Sequence, residues 1–358
     1  MARATLRRVR ALRERFASGS RFAPFRTSAS AHPLIPASPH MPHTRPLGTT
    51  GFDIAPLVLG TNVFGWTVDQ STAFSILDAF VDHGFDALDT ADSYSHWAPG
   101  NSGGESETII GNWLARSPSR RDQVHVMTKV GSGMPGTNGK KTLAPKWVLH
   151  EVDESLRRLR VERIDLYQAH WPDPSTPIEE TLRAFDALIR AGKVRAIGAS
   201  NLDAAQLAEA LRVADARGLP RYATLQPEYN LYDRDKYDGS LRDLAMREGL
   251  GVITYYGLAS GFLSGKYRTA DDLKKSARGG SVGKYMNPRG MRILAALDAV
   301  AARHAAQPAE VALAWLMQRL GVTAPIASAT SLAQLASLMR ATELRLSDED
   351  VKELDVRE

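Results

Sequence analysis

The chain contains no cysteine. That excludes a disulfide framework, thiol catalysis and any thiolate metal site, and it fits a reducing compartment such as the cytoplasm, where the body of the protein is expected. No uninterrupted apolar run approaches the roughly 18 residues that a membrane-crossing helix needs. Acidic residues are nearly missing from positions 1–45, which hold nine arginines, no lysine and a single acid, Glu14. The net charge of +5 therefore belongs to this arm, because the remainder holds 36 basic and 39 acidic residues. A mildly acidic body argues against nucleic acid as a partner, and the lack of a long apolar run argues against a membrane. Metal-ligand spacing is also missing. His40 and His43 lie in the arm, and the other histidines show no ligand-like pairing.

What is present is an ordinary globular composition, 43% hydrophobic and 24% charged. Residues 1–43, rich in Arg, Ala, Ser and Pro, read as a disordered extension. They are either sequence upstream of a start at Met41 or an organellar transit peptide, since no apolar segment of a secretory signal follows the arginines. From about residue 55 onward, short apolar runs alternate with amphipathic stretches. Strands are expected at 56–61, 84–89, 124–129, 164–170, 194–199, 223–229, 251–255 and 322–327. Helices are expected at 71–83, 105–116, 146–159, 178–190, 204–217, 240–248, 308–320 and 332–340. Apolar spacing of three and four, as in Leu182, Phe185, Leu188 and Ile189, carries the helical reading. Eight strands alternating with eight helices give a (β/α)8 TIM barrel spanning 44–358. Two segments exceed the minimal barrel: 45–54, expected as a hairpin plugging its bottom, and 258–290, a long Gly- and Lys-rich loop after the seventh strand.

Three strands end in polar or charged residues: Asp89, Lys129 and His170. Burying an unpaired charge is costly, so three such ends on consecutive strands, with Tyr94 in the loop after the first, point to one shared site. A phenol with a pKa of about 10 is a poor acid near neutrality. An adjacent ammonium lowers that pKa, Asp89 keeps Lys129 charged, and His170 donates a hydrogen bond to a carbonyl oxygen as it gains charge. The set suits carbonyl reduction with Tyr94 as proton donor. Phe64, Trp66, Trp97 and Trp171, with Tyr94 and His170, are expected to wall an aromatic substrate pocket, with Tyr229 or Tyr256 as a further candidate. The G-x-G-x-x-G match at 131–136 is set aside, because no helix opens there as a dinucleotide fingerprint requires.

These residues resemble the aldo-keto reductases over 44–358. The marks are Leu59-Gly60-Thr61, Asp89 to Tyr94, Gly104-Glu105-Ser106-Glu107, Thr128-Lys129, Asp165 to His170, Gly192 to Asn201, Gln226 to Asn230, Gly261 to Tyr267 and Pro325 to Ser331. The resemblance implies a barrel that binds NADP(H), with NAD(H) open, and a catalytic tetrad of Asp89, Tyr94, Lys129 and His170. It implies cofactor contacts from Gly60, Thr61, Asn62, Asp89, Ser200, Asn201 and Gln226, and a stacking ring from Tyr255. Leu258, Ser260, Gly261 and Lys266 fall at the pyrophosphate, and Ser328, Thr330 and Gln334 at the adenosine phosphate. Two departures stand out: Thr254 to Leu258 replaces a proline-bracketed turn, and no lysine or arginine occupies the usual adenosine positions. The implied partner is a small carbonyl substrate, and a homo-oligomer is compatible with it. A second reading is a redox-sensing regulatory subunit with little turnover. A third is a lyase with a Schiff base on Lys129, disfavoured because a charged, Asp-paired lysine is a poor nucleophile.

Overall fold

In the computed structural model, residues 42–275 and 279–356 are described. The expected disordered arm over 1–43 lies almost wholly outside them. A two-stranded hairpin comes first, β1 (Arg45–Pro46) against β2 (Asp53–Ile54). Eight strands then close into one parallel barrel: β3 (Val58–Gly60), β4 (Ala87–Asp89), β5 (His125–Val130), β6 (Ile164–Ala169), β7 (Val194–Ser200), β8 (Thr224–Gln226), β9 (Gly251–Thr254) and β10 (Ala324–Ala327). Neighbours follow chain order and β10 pairs with β3 to close the ring. This is the (β/α)8 architecture.

Parallel strands covered by helices are buried on both faces, and every residue of β6 is buried. Because side chains alternate, Ala87, Met127, Leu166, Ala196 and Ile253 fill the barrel interior. Leu88, Val126, Tyr167 and Ile197 join the larger cluster containing helix residues such as Leu182 and Phe185. The same parity has a consequence for chemistry. Two residues beyond an inward Ala87 comes Asp89, two beyond Met127 comes Lys129, and two beyond Leu166 comes Gln168. All stand over the interior at the C-terminal rim.

Between β9 and β10 the structure differs from the expected single helix. Among the described residues two long helices lie there, Pro288–Arg303 and Pro308–Met317, after a four-residue one at Gly279–Val282. Asn287 caps the first by accepting from Gly290 N at 3.0 Å, and proline holds its first position. The excursion after β9 therefore ends at 287, and it contains short helical turns at Ala259–Ser264 and Ala270–Lys275. A final helix, Asp348–Leu354, was also not expected.

The hairpin closes the barrel floor. Leu47, Phe52 and Ile54 enter the interior cluster, and Phe52 stacks on His125 at 4.3 Å with the Arg195 guanidinium over its ring at 4.8 Å. The turn passes so close to β8 and β9 that a Cβ on Gly48 would lie 2.2 Å from Ala223 O and 2.3 Å from Gly251 N, and its φ is +56°. Glycine alone meets both demands. Gly48→Ala is expected to cost about 3 kcal/mol of stability, read as a lower denaturant midpoint at unchanged slope; an unaltered midpoint would mean that the plug yields freely.

Candidate active site

The inward parity at the rim brings four functional groups together. Lys129 is fully buried, and its ammonium donates to Asp89 Oδ2 at 2.7 Å, to Thr90 O at 2.7 Å and to Tyr94 Oη at 3.1 Å. The β4–β5 register sets Asp89 level with Met127, one inward position below Lys129. Asp89 Oδ1 takes a further hydrogen bond from Gln226 Nε2 at 2.9 Å. The Tyr94 ring lies edge-on to the His170 imidazole at 6.0 Å. His170 is fixed by its backbone, which donates to Val130 O and accepts from Asn201 Nδ2, both at 2.8 Å. Its Nδ1 is buried without a hydrogen-bond partner.

Electrostatics divide the four groups. Burial draws the Lys129 pKa down, but Asp89 and Tyr94 outweigh it, so the ammonium is held above its ordinary value. His170 is pushed well below its ordinary value by burial and then by the charges of Lys129 and Lys141. It is therefore a neutral imidazole with one N–H to donate. Tyr94 differs from the expectation of a lowered pKa. Burial raises it, Lys129 opposes, and burial wins. The phenol accordingly keeps its proton.

Asp89, Tyr94 and His170 face a cavity of about 1080 Å³ at the C-terminal rim, with Lys129 buried behind them. The expected residues Gly60, Asn62, Asp89, Ser200, Asn201, Gln226, Tyr255, Leu258, Ser260, Gly261, Lys266, Ser328, Thr330 and Gln334 all line it, as do Tyr94, Trp97, His170 and Trp171. Three of the expected residues do not line it. Thr61 is fully buried and clamps β3 to β4, with its hydroxyl donating to Asp89 O at 2.9 Å. Phe64 is fully buried in the outer core, because the turn after β3 directs it inward and not to the rim. Trp66 is not a lining residue either; it packs edge-on against Trp97 at 6.0 Å. Of the two further tyrosines considered, Tyr229 is buried in the core and Tyr256 lines the cavity. Residues that sequence reasoning missed include His96, Ser132, Glu228, Lys236 and Lys284. Glu228 follows β8 at the rim, and that position alone was a usable signal.

The model of the Aldo/keto reductase family matches residues 56–356. The chain belongs to the aldo/keto reductase family. It is an oxidoreductase of a family that uses NAD(P)H. Its relatives include "Uncharacterized oxidoreductase YrpG" of Bacillus subtilis (strain 168), 33% identical over 86% of this chain and 94% of its own length. "Aldo-keto reductase YhdN" of the same organism is 31% identical over 86% and 91%. A "Probable voltage-gated potassium channel subunit beta" of Arabidopsis thaliana is 32% identical over 83% and 90%. Among the described residues of this aldo/keto reductase, no helix is long and apolar enough to cross a membrane, and no group of three or more histidine or acidic side chains is placed to hold a metal.

Behind the rim loop lies a second charged cluster that the sequence reading did not anticipate. Arg158 bonds Glu107 at 2.6 Å and also Glu151, and Thr128 donates to Glu107 at 2.6 Å. Asp92 stands outside this pairing: it is buried, and no side chain hydrogen-bonds to either of its carboxyl oxygens. Burial, then repulsion from Glu151 and Glu107, pushes its pKa well up, with Arg158 opposing. The folded state thus binds a proton that the unfolded chain releases above about pH 4. Stability from this group is present below that pH and is lost as pH rises toward the folded pKa. Asp92→Asn is expected to raise the melting temperature near about pH 8 and to change it little near about pH 4. An equal change at both pH values would show that Asp92 is ionised in the fold.

Proposed function

We propose that this oxidoreductase reduces aldehydes or ketones to alcohols, using NADPH or NADH and Tyr94 as the proton donor. The observation that carries the reading is the buried Lys129 ammonium bridging Asp89 and the Tyr94 phenol beside a neutral imidazole. Residues 44–358 are taken as the catalytic barrel and 1–43 as an extension to it. The donor set suits a nicotinamide dinucleotide: Ser200, Asn201 and Gln226 offer amide and hydroxyl groups to a carboxamide, and Tyr255 offers a ring beside them. The Tyr255 hydroxyl donates to Asn201 Oδ1 at 2.7 Å, which orients both. Ser260, Gly261 and Lys266 offer hydroxyl, backbone and ammonium groups to a pyrophosphate. Ser328, Thr330 and Gln334 would hold the adenosine phosphate. When bound, the cofactor supplies the hydride.

The chain's own residues do the rest. His170 and Tyr94 donate hydrogen bonds to the substrate carbonyl oxygen and orient its carbon. Charge that develops on that oxygen draws the proton from Tyr94 Oη. The phenolate left behind is stabilised by the Lys129 ammonium 3.1 Å away. Asp89 holds that ammonium charged and aimed. Trp97 and Trp171 narrow the mouth and limit water. A Schiff base on Lys129 has no support here, since an amine held above its ordinary pKa and donating three hydrogen bonds has no free pair.

The named channel subunit among the relatives favours a second reading, a cofactor-binding regulatory subunit with little turnover. Turnover separates the two. Wild type is expected to consume NADPH or NADH with a panel of aromatic and aliphatic aldehydes. Tyr94→Phe should lower kcat about 10²- to 10⁴-fold with cofactor binding retained. Equal rates for wild type and Tyr94→Phe would sink the proton-donor role. Tight cofactor retention without turnover in wild type would support the regulatory reading instead.

A further inference from the structure

We propose that Lys141 selects the substrate, presenting an ammonium to carbonyl compounds that carry a carboxylate on an aromatic or apolar spacer. The proposal rests on the carbonyl-reductase reading and narrows its substrate class. Lys141 lies in the loop between β5 and the helix Pro145–Leu159, and its Nζ sits 3.4 Å from the centroid of the Trp171 ring. Trp171 lines the cavity and stacks beside His170 at 6.2 Å with the two rings 18° apart. The Lys141 side chain is exposed and does not itself line the cavity, but its ammonium rests on a residue that does, near enough to act on the imidazole.

Among the described residues, no acid forms an ion pair with Lys141. Burial, which draws the Lys141 pKa down, is the one influence on it, and no carboxylate lifts it. Asp173, on the loop after β6, is committed elsewhere. It accepts from Leu143 N and Ser175 N at 2.9 Å and from the Thr176 hydroxyl at 2.7 Å, and it also takes the Ser175 hydroxyl. The other lysines around the mouth differ. Lys236 is paired with Glu228 at 2.8 Å, Lys284 lies 3.8 Å from Asp233, and Lys129 belongs to Asp89. Lys266 lies on the stretch assigned to the pyrophosphate.

A cation on an indole face can leave it for a carboxylate at a net gain, because contact between opposite charges is the stronger attraction. A substrate whose carbonyl oxygen meets Tyr94 and His170 must pass its body between Trp97, which packs on Tyr94 at 5.7 Å, and Trp171. Its far end then emerges beside Lys141. An apolar or aromatic spacer fits the indoles, and an anion fits the ammonium.

The matched pair 4-carboxybenzaldehyde and 4-methylbenzaldehyde tests this with wild type, Lys141→Gln and Lys141→Arg at saturating cofactor. Wild type is expected to prefer the carboxylate in kcat/KM, and added salt should erode that preference. Lys141→Gln should cut the ratio of the two kcat/KM values by about fivefold to tenfold, chiefly through KM, while Lys141→Arg keeps it. A ratio unchanged in Lys141→Gln overturns the proposal and leaves carbonyl reduction standing. No turnover of either aldehyde by wild type, with NADPH or NADH, overturns the carbonyl-reductase reading and this one with it.

Discussion

One fully buried ammonium organises the rim of this barrel. Lys129 cannot lose its charge cheaply, and an ammonium away from water must find partners for its protons. It finds a carboxylate on β4, a carbonyl on the residue after β4 and a phenol four residues further on. Those three partners dictate the path of the loop from Asp89 to Tyr94, which has to curl over the end of β5 to reach them. Asp89 in turn is shared with Gln226 on β8, across the barrel mouth. A single charge thus ties strands from opposite sides of the ring. Removing one partner of such a pair typically costs 3–5 kcal/mol, because the other charge is left buried.

The loop is pinned from behind as well. Backbone N–H groups of Thr90 and Asp92 donate to Met127 O and Lys129 O at 2.9 and 3.1 Å, extending the sheet pairing past the formal end of β4. Arg158, between Glu107 and Glu151, holds the helices Glu105–Leu114 and Pro145–Leu159 together underneath. The cluster contains more carboxylates than cations, and Asp92 keeps its proton as the consequence. A pedestal pinned in this way suits the proposed hydride chemistry, since misplacement of a proton donor by an ångström is costly.

Much of this was legible in the sequence, for a physical reason. Asp89, Lys129 and His170 are charged or polar ends of apolar runs, and that much needs no structure, whereas the inward parity of Ala87, Met127 and Leu166 does, because Leu88, Val126 and Tyr167 beside them are equally apolar. Charged residues at strand ends then have to share a site. Legibility stopped where the answer depended on packing between distant segments. Phe64 and Trp97 are both aromatic residues in rim loops, yet one turns into the core and the other to the mouth, and composition does not distinguish them. The helix Pro288–Arg303 carried a readable signal, with Asn287-Pro288 followed by Ile293, Leu294, Leu297, Val300 and Ala301 at helical spacing. The Gly- and Lys-rich stretch before it masked that start. The direction of the Tyr94 pKa was not legible at all, because it is a contest between burial and a neighbouring charge, and burial is a property of the whole fold.

For the proposed carbonyl reduction, that contest would let Tyr94 serve as proton donor beside a cation without losing its proton early. Were the ammonium to dominate, Tyr94 would ionise in the resting site and have nothing to give. With burial dominant, the phenol stays neutral until charge appears on a neighbouring oxygen. In the proposed reaction Lys129 would then act on the phenolate as it forms, so that its attraction falls where the barrier lies and not on the resting state. The neutral His170 obeys the same logic. An imidazolium there would add a third positive charge near Lys129 and Lys141, whereas a neutral ring supplies one directed N–H and, in the proposed reaction, would leave the proton transfer to Tyr94. Division of labour between the two donors therefore follows from where each ring is buried and which charges it faces.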